Sequence, residues 1–330
     1  VSSKGRPVLV TGAGGFIGSH LVERLLGDGA EVRALCEYSP TGSRGWLDRS
    51  PLRSAPGLSV RQGDVRDARY VEELCRGVEV VYHLAALVSI PHSYEAPSST
   101  FATNAGGTLN VLEGVRRAGC KRMVFCSTSE VYGTPETVPI RETHPLRAQS
   151  PYSASKIAAE KLCESYALSF ATPVVVVRPF NTYGPRQSAR AVIPTILAQL
   201  LAGERRVRLG NVSPRRDLTF VEDTALGLLL AGEAPLEPAA VVQLGSGEAL
   251  SVKEIFEAAT RVLSVEAEIV SDPERVRPRA SEVEVLLSDP SRAHERLGWA
   301  ASVRFEEGLR RTADWLRENL DLYRPGDYAR

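Results

Sequence analysis

The chain of 330 residues has no excess of either charge, with 40 Lys and Arg against 40 Asp and Glu. No bulk charge therefore argues for a nucleic-acid or membrane partner. There is no apolar run of the roughly 18 residues that a membrane-crossing helix requires. The cysteines, Cys36, Cys75, Cys120, Cys126 and Cys163, are scattered and form no C-x-x-C pair. A zinc site or a secreted disulfide framework is not expected from them. His83 has no partner at ligand spacing, so no metal is expected there either. No internal repeat and no low-complexity tract is present. Val1 to Pro7 is short and polar, not a targeting segment, which gives the expectation of a cytoplasmic protein.

What the sequence does contain is alternation. Val8–Thr11, Glu31–Cys36, Leu58–Gln62, Val78–Tyr82, Arg122–Cys126 and Val174–Arg178 read as short apolar strands. Helical patterns lie between them, at Phe16–Leu26, Thr103–Ala118 and Ser153–Phe170. Buried strands separated by helices predict an α/β fold, a parallel sheet covered on both faces. The alternation weakens after Pro179. Helix patterns recur at Val192–Leu201, Val252–Val262 and Phe305–Leu320 among Pro- and Arg-rich stretches. We expect residues 1–179 to form a cofactor-binding domain and 180–330 a smaller α/β lobe, with segments free to cross. The cleft between lobes is the natural ligand site.

Thr11-Gly-Ala-Gly-Gly-Phe-Ile-Gly18 joins the first strand to the first helix. Gly12 suits the tight turn, Gly15 close approach to a pyrophosphate, and Gly18 helix-on-strand packing. Phe16 and Ile17 then open a helix whose N–H groups favour phosphate. This context makes the loop a dinucleotide signature and the sheet a Rossmann-type, doubly wound one. Glu37 lies 19 residues beyond Gly18, where an acid binds the adenosine ribose, and it would repel a 2′-phosphate. NAD is therefore favoured over NADP; Arg33 and Arg44 are the residues that would reverse this. Asp64 and Val65 follow the third strand and either meet the adenine or form a solvated turn.

Tyr152-Ser-Ala-Ser-Lys156 sits at a helix start, so the phenol and the ammonium share a face. A neighbouring cation is expected to lower the Tyr152 pKa toward neutrality. Such a tyrosine can take a proton from a sugar hydroxyl while hydride leaves the same carbon. Trp46 and Trp299 read as packing residues.

Several motifs now coincide. They are the loop at 11–18, Asp64, His83-Leu-Ala-Ala86, Asn104 and Ser127-Thr-Ser-Glu-Val-Tyr-Gly133. Pro151–Lys156, Arg178-Pro-Phe-Asn-Thr-Tyr-Gly-Pro185, Arg216-Asp217, Asp223 and Gly245-Ser-Gly247 complete them. Along nearly its whole length the chain resembles the extended short-chain dehydrogenase/reductases that act on nucleotide sugars. The resemblance implies a catalytic core of Thr128, Tyr152 and Lys156, with Lys156 also holding the nicotinamide ribose. It places Leu84, Ala85, Ala86 and Asn104 along the cofactor. It gives Asn181, Arg216 and Arg277 the nucleotide diphosphate. It also implies a homodimer built on the two long helices near 103–118 and 153–170.

Within that family the residues after Thr128 mark the chemistry. Here they are Ser129 and Glu130. Once C4 of a sugar is oxidised, its C5 proton becomes acidic, and Glu130 could remove it while the C6 hydroxyl leaves. Gly45–Asp48, Leu87–Tyr94 and Arg186–Thr195 resemble 4,6-dehydratases acting on an N-acetylglucosamine nucleotide. That makes Ser89, Arg190 and Val192 candidate substrate contacts. A decarboxylase of UDP-glucuronate, a 4-epimerase and a glycal-forming dehydratase remain alternatives. Arg178, at a strand end, is a further candidate for ligand contact.

Overall fold

The structure is a computed structural model that describes residues 4–273 and 283–323. Its centre is a sheet of seven parallel strands. They are β1 (Pro7–Thr11), β2 (Glu31–Cys36), β3 (Leu58–Gln62), β4 (Val80–His83), β5 (Arg122–Cys126), β6 (Val174–Pro179) and β10 (Val241–Leu244). Their spatial order is β10-β6-β5-β4-β1-β2-β3. The order reverses between β1 and β4, which run side by side from Val8↔Val80 to Thr11↔His83. The crevice at the strand C-termini of such a reversal is where doubly wound sheets bind ligands.

Period-two alternation sends each strand's side chains to opposite faces. Val8, Val10, Val175 and Val177 pack on one side with α1 (Phe16–Gly27) and α8 (Val221–Glu233). Leu9, Val81, Met123, Phe125, Val174 and Val176 pack on the other. There they meet α2 (Ala68–Cys75), α5 (Gly107–Ala118) and α6 (Pro151–Phe170). Two short helices, α3 (Ile90–Glu95) and α4 (Pro97–Phe101), lead into α5 through a π-helical turn, Ala102–Gly106.

The second lobe gathers around β9 (Arg215–Phe220). β9 pairs with β7 (Asn181–Tyr183), with β11 (Ala249–Ser251) and with β13 (Val285–Leu286). β8 (Arg206–Leu209) and β12 (Glu268–Ser271) form a separate pair. Around them α7 (Val192–Leu201), α9 (Val252–Leu263) and α11 (Phe305–Glu318) close a core of Ile196, Leu197, Phe256, Leu309 and Leu316. α10 (Ser291–Leu297) returns to the first sheet, and its Ala293 and Leu297 join the α1/α8 layer. Segments beyond residue 180 thus cross back: β10 forms the edge of the large sheet and α8 covers one face. No helix among the described residues is long and apolar enough to cross a membrane.

Candidate active site

The glycine loop has the geometry of a phosphate cradle. Gly12 has φ +71°, and a methyl group there would lie 2.7 Å from the Ala85 amide nitrogen. A methyl on Gly18 would lie 2.1 Å from the Gly12 carbonyl oxygen. The loop, the helix and the Leu84–Ala85 turn therefore close on one another only without side chains. Ala85 N–H donates to Thr11 Oγ1 at 3.2 Å, which fixes that turn. Gly15 is the N-cap of α1 and offers no side-chain cap. The first-turn N–H groups, including those of Phe16 and Ile17, thus face the crevice in need of acceptors. The Phe16 and Ile17 side chains pack toward the second lobe.

Glu37, expected at the adenosine ribose, is exposed just past β2. Asp64 accepts from Arg66 Nε at 2.9 Å and from Arg66 N–H at 2.8 Å. These bonds hold the Asp64 carboxyl below its ordinary pKa. Val65 is buried beneath Gly107. The two arginines that would have favoured a 2′-phosphate are engaged elsewhere. Arg33 donates to the Leu74 and Arg76 carbonyls at the end of α2. Arg44 pairs with Asp48 at 2.7 Å and donates to Arg53 O at 3.0 Å.

One element was not legible beforehand. Trp46 N–H donates to Gly14 O at 2.9 Å, laying residues 44–46 over the glycine loop. The Trp46 ring meets Trp315 of α11 edge-on at 5.4 Å. Arg49 donates to Asn319 at 2.6 Å. The segment therefore ties the cofactor loop to the second lobe. The aromatic pairing confirms Trp46 as a packing residue, and Trp299 is buried with its indole N–H on Asp223 O at 2.8 Å.

The candidate catalytic residues converge from β5 and α6. Thr128 caps the 3-10 turn Ser129–Tyr132, its Oγ1 accepting from Glu130 N–H at 3.2 Å. Ser129 is buried and Glu130 half-buried. Helix α6 starts at Pro151 behind a Ser150/Ser153 capping box, which sets Tyr152 in the first turn. Burial raises the Tyr152 pKa, the nearby Cys126 and Glu130 raise it further, and a hydrogen bond with Thr128 opposes them. Thr128, Glu130 and Tyr152 therefore share one site. Lys156 is buried; its Nζ donates to Cys126 O at 2.7 Å and lies 4.4 Å from the Phe125 ring centre. Burial lowers the Lys156 pKa. The expectation that Lys156 would lower the Tyr152 pKa is not met. Helical spacing gave the two residues one face, but the ammonium turns to a carbonyl and burial dominates the phenol.

Asn104, in the π-helical turn, binds both backbone groups of Leu87, at 2.8 and 3.2 Å, and Ser155 Oγ at 2.9 Å. It thus joins the loop after β4 to the helix bearing Tyr152. Such single π turns are common at functional sites. His83 bridges Thr11 Oγ1 at 2.7 Å and Thr108 Oγ1 at 3.0 Å. Burial, with help from the Lys156 charge, pushes its pKa down to about 3. Among the described residues no cluster of three metal-ligating side chains exists. The lowered His83 value has a consequence for stability. Between about pH 6.5 and pH 3 the unfolded chain binds a proton that the folded chain refuses. The contribution is complete above that window and is lost as pH falls through it. Denaturant unfolding across the window should show a smaller acid loss for His83→Gln than for the parent.

Among the residues expected to meet substrate, Asn181 opens β7, and its Oδ1 is buried without a protein partner. Arg216 lies on β9 and donates to Val283 O at 2.7 Å. Ser89 caps α3, accepting from His92 N–H at 3.2 Å. Val192 begins α7 and packs on the second core, whereas Arg190 is exposed. Arg277 lies outside the described residues. Arg178 corrects the sequence reading. It is buried and bidentate on Glu160, at 3.0 and 2.6 Å, with Nη1 on Tyr132 Oη at 3.0 Å. β6 is buried on both faces, so a charge within it must be paired inside the protein.

Comparison with known proteins agrees with this geometry. The profile of the family described as GDP-mannose 4,6 dehydratase matches residues 9–312. UDP-glucose 4-epimerase of Mycolicibacterium smegmatis is 32% identical over 314 residues, covering 94% of this chain and 98% of the relative. UDP-N-acetylglucosamine 4-epimerase from Methanobrevibacter ruminantium, in complex with UDP-N-acetylmuramic acid, superposes with a TM-score of 0.87 at 28% identity. That match covers 96% of this chain and 99% of the other. DesIV, a dTDP-glucose 4,6-dehydratase from Streptomyces venezuelae with NAD bound, superposes at 0.85 with 30% identity, covering 97% and 99%. The glycine cradle, the uncapped helix and the reach of these matches all agree, and the chain belongs to the GDP-mannose 4,6-dehydratase family of NAD-dependent nucleotide-sugar epimerases and dehydratases.

Proposed function

We propose that this protein is an NAD-dependent 4,6-dehydratase of a nucleotide sugar, with UDP-N-acetylglucosamine the first candidate. The observation that carries the reading is Glu130, whose charge acts on the Tyr152 phenol across the candidate site. Simple epimerisation at C4 requires no such carboxylate. The glycine loop, the α1 N-terminus, Glu37 and the Leu84–Ala86 turn would hold NAD, which supplies the hydride acceptor at C4 and returns hydride to C6. Tyr152, beside Thr128, takes the C4 hydroxyl proton. Lys156, one turn beyond Tyr152 on the same helical face, stands behind it with its ammonium on the Cys126 carbonyl. Glu130 removes the acidified C5 proton, and the C6 hydroxyl leaves with a proton as water. A proton then returns to C5, so the net reaction is loss of one water. Asn181 fits a ligand amide: its unpartnered Oδ1 can accept from a hydroxyl while Nδ2 donates to a phosphate oxygen. Arg216 lies on the neighbouring strand for the second phosphate contact.

The same reading includes a homodimer through α5 and α6, whose outer faces expose Leu109, Leu168 and Phe170. A cytoplasmic setting fits five buried, free thiols. A second reading, 4-epimerisation, is favoured by the relatives named as 4-epimerases and uses Thr128, Tyr152 and Lys156 alone. Mass spectrometry coupled to a chromatographic separation that resolves sugar epimers, applied to UDP-N-acetylglucosamine, UDP-glucose and UDP-glucuronate incubated with enzyme and NAD, decides between them. A product lighter by one water is expected. An isobaric epimer as the sole product would establish the second reading. Carbon dioxide release from UDP-glucuronate alone would overturn both.

A further inference from the structure

Tyr152, Lys156 and Glu160 follow one another at intervals of four along α6, on one helical face. The first two have catalytic roles in the proposed reaction; the third has none. Glu160 is nevertheless buried, 4% exposed, where an unpaired carboxylate would be costly. Its partners explain the placement. Ser127 Oγ donates to Glu160 Oε1 at 2.5 Å. Arg178 of β6 grips both carboxylate oxygens. One residue before Ser127, the Cys126 carbonyl accepts from Lys156 at 2.7 Å. One residue after it comes Thr128, which caps the turn bearing Glu130. Two successive residues at the end of β5 are thus bonded to two successive turns of α6. The far side of the array holds the same turn: Arg178 Nη1 meets Tyr132 Oη, which itself donates to Gln243 Oε1 at 2.9 Å.

We propose that Ser127 and Glu160 are positioning residues, which with Arg178 fix the end of β5 and its Thr128 against the face of α6 that carries Tyr152 and Lys156. A buried ion pair is weak evidence for stability, since apolar replacements of similar volume are often neutral. Its value here lies in register. A shift of about 1 Å between the tyrosine and the sugar carbon costs roughly 100-fold in rate. The inference rests on the proposed C4 oxidation, which dehydration, epimerisation and decarboxylation share, and not on Glu130. Glu160 also faces Lys156 along the helix. The other titratable groups acting with or on that ammonium are Cys126 of β5, Cys163 of α6 and His83 of β4.

The test uses Ser127→Ala and Glu160→Gln in the NAD-loaded enzyme. Single-turnover C4 oxidation is followed by the absorbance of reduced nicotinamide, with UDP-N-acetylglucosamine and UDP-glucose as probes. Ser127→Ala should lower kcat by about 10- to 100-fold, with KM within about twofold. A merely structural role would instead reduce the fraction of active enzyme and leave kcat per active site unchanged. The second readout needs no substrate. The chain has only five lysines, so the Lys156 signal of side-chain-labelled protein can be assigned by NMR with Lys156→Arg. Glu160→Gln should let Lys156 lose its proton at lower pH than in the parent. Parental kcat in Ser127→Ala, or an unchanged Lys156 titration in folded Glu160→Gln, would overturn the proposal. If neither sugar reduces the cofactor in the parent enzyme, the functional reading falls, and the Lys156 signal still decides this inference.

Discussion

Glu130→Gln should oxidise its substrate at C4 as the parent does and then stop. The loss in water elimination is expected at about 10²- to 10⁴-fold, the usual contribution of a positioned acid–base group. The fold around position 130 gives the variant little reason to rearrange. Glu130 is anchored by its own backbone N–H on Thr128 Oγ1, and Val131 and Tyr132 behind it are fully buried. Glutamine keeps the volume and loses only the charge and the basicity. That charge also disfavours ionisation of Tyr152. Its removal should therefore shift the pH dependence of C4 oxidation toward lower pH. Quenched-flow sampling with borodeuteride trapping checks both parts. Trapped 4-keto sugar retaining its C6 hydroxyl is the expected product. Dehydration at the parental rate would remove Glu130 from the mechanism. Loss of C4 oxidation together with dehydration would show that the residue serves the site's architecture and not the C5 proton.

Tyr152→Phe should have the opposite profile. In the proposed reaction it removes the group that takes the C4 hydroxyl proton, so every later step is starved. We expect C4 oxidation to fall by about 10²- to 10⁴-fold for every nucleotide sugar the enzyme accepts. The ring remains in place, since Tyr152 is only 5% exposed and its helix start is set by Pro151 and the Ser150/Ser153 box. NAD binding, measured by calorimetry, should be retained. In the proposed reaction the phenol must lose its proton to act, and burial opposes that. C4 oxidation should therefore rise with pH and flatten as Tyr152 ionises. A Phe variant with the parental rate and the same rising profile would transfer the proton-accepting role to another group.

The two variants separate the halves of the reaction because their residues come from different elements, a strand end and a helix start. The glycine loop and Tyr152-x-x-x-Lys156 could be read from local spacing, whereas Thr128-Ser-Glu130 was read from the resemblance to a family. What was not legible depends on distant packing. Helix α8 carries Gly227 and Gly232 and is apolar on most sides, so it shows no clean stripe; only its burial against α1 and the sheet makes it a helix. Strands β7, β11 and β13 have three, three and two residues, too few for alternation to register. Arg178 was assigned to the crevice because it ends a strand. The direction of its side chain depends on Glu160, 18 positions away on another element. Lys156 illustrates the same limit: a shared helical face did not determine which acceptor its ammonium would choose. The strap at residues 44–46 depends on Trp315, far along the chain, and no local signal announces it.

Strand β10 has a consequence for how the chain is made. It supplies the outer edge of the large sheet, hydrogen-bonded along β6 from Val241↔Val176 to Leu244↔Pro179. Helix α8, which shares one face of that sheet with α1, is also synthesised after β7 and β9 of the second lobe. A nascent chain that has emerged only as far as β6 therefore presents an open strand edge and an apolar face that α1 alone covers in part, both invitations to association. The cofactor half cannot mature first and wait. Ribosome-bound intermediates of this protein must be shielded until β10, about three quarters of the way along the chain, has appeared.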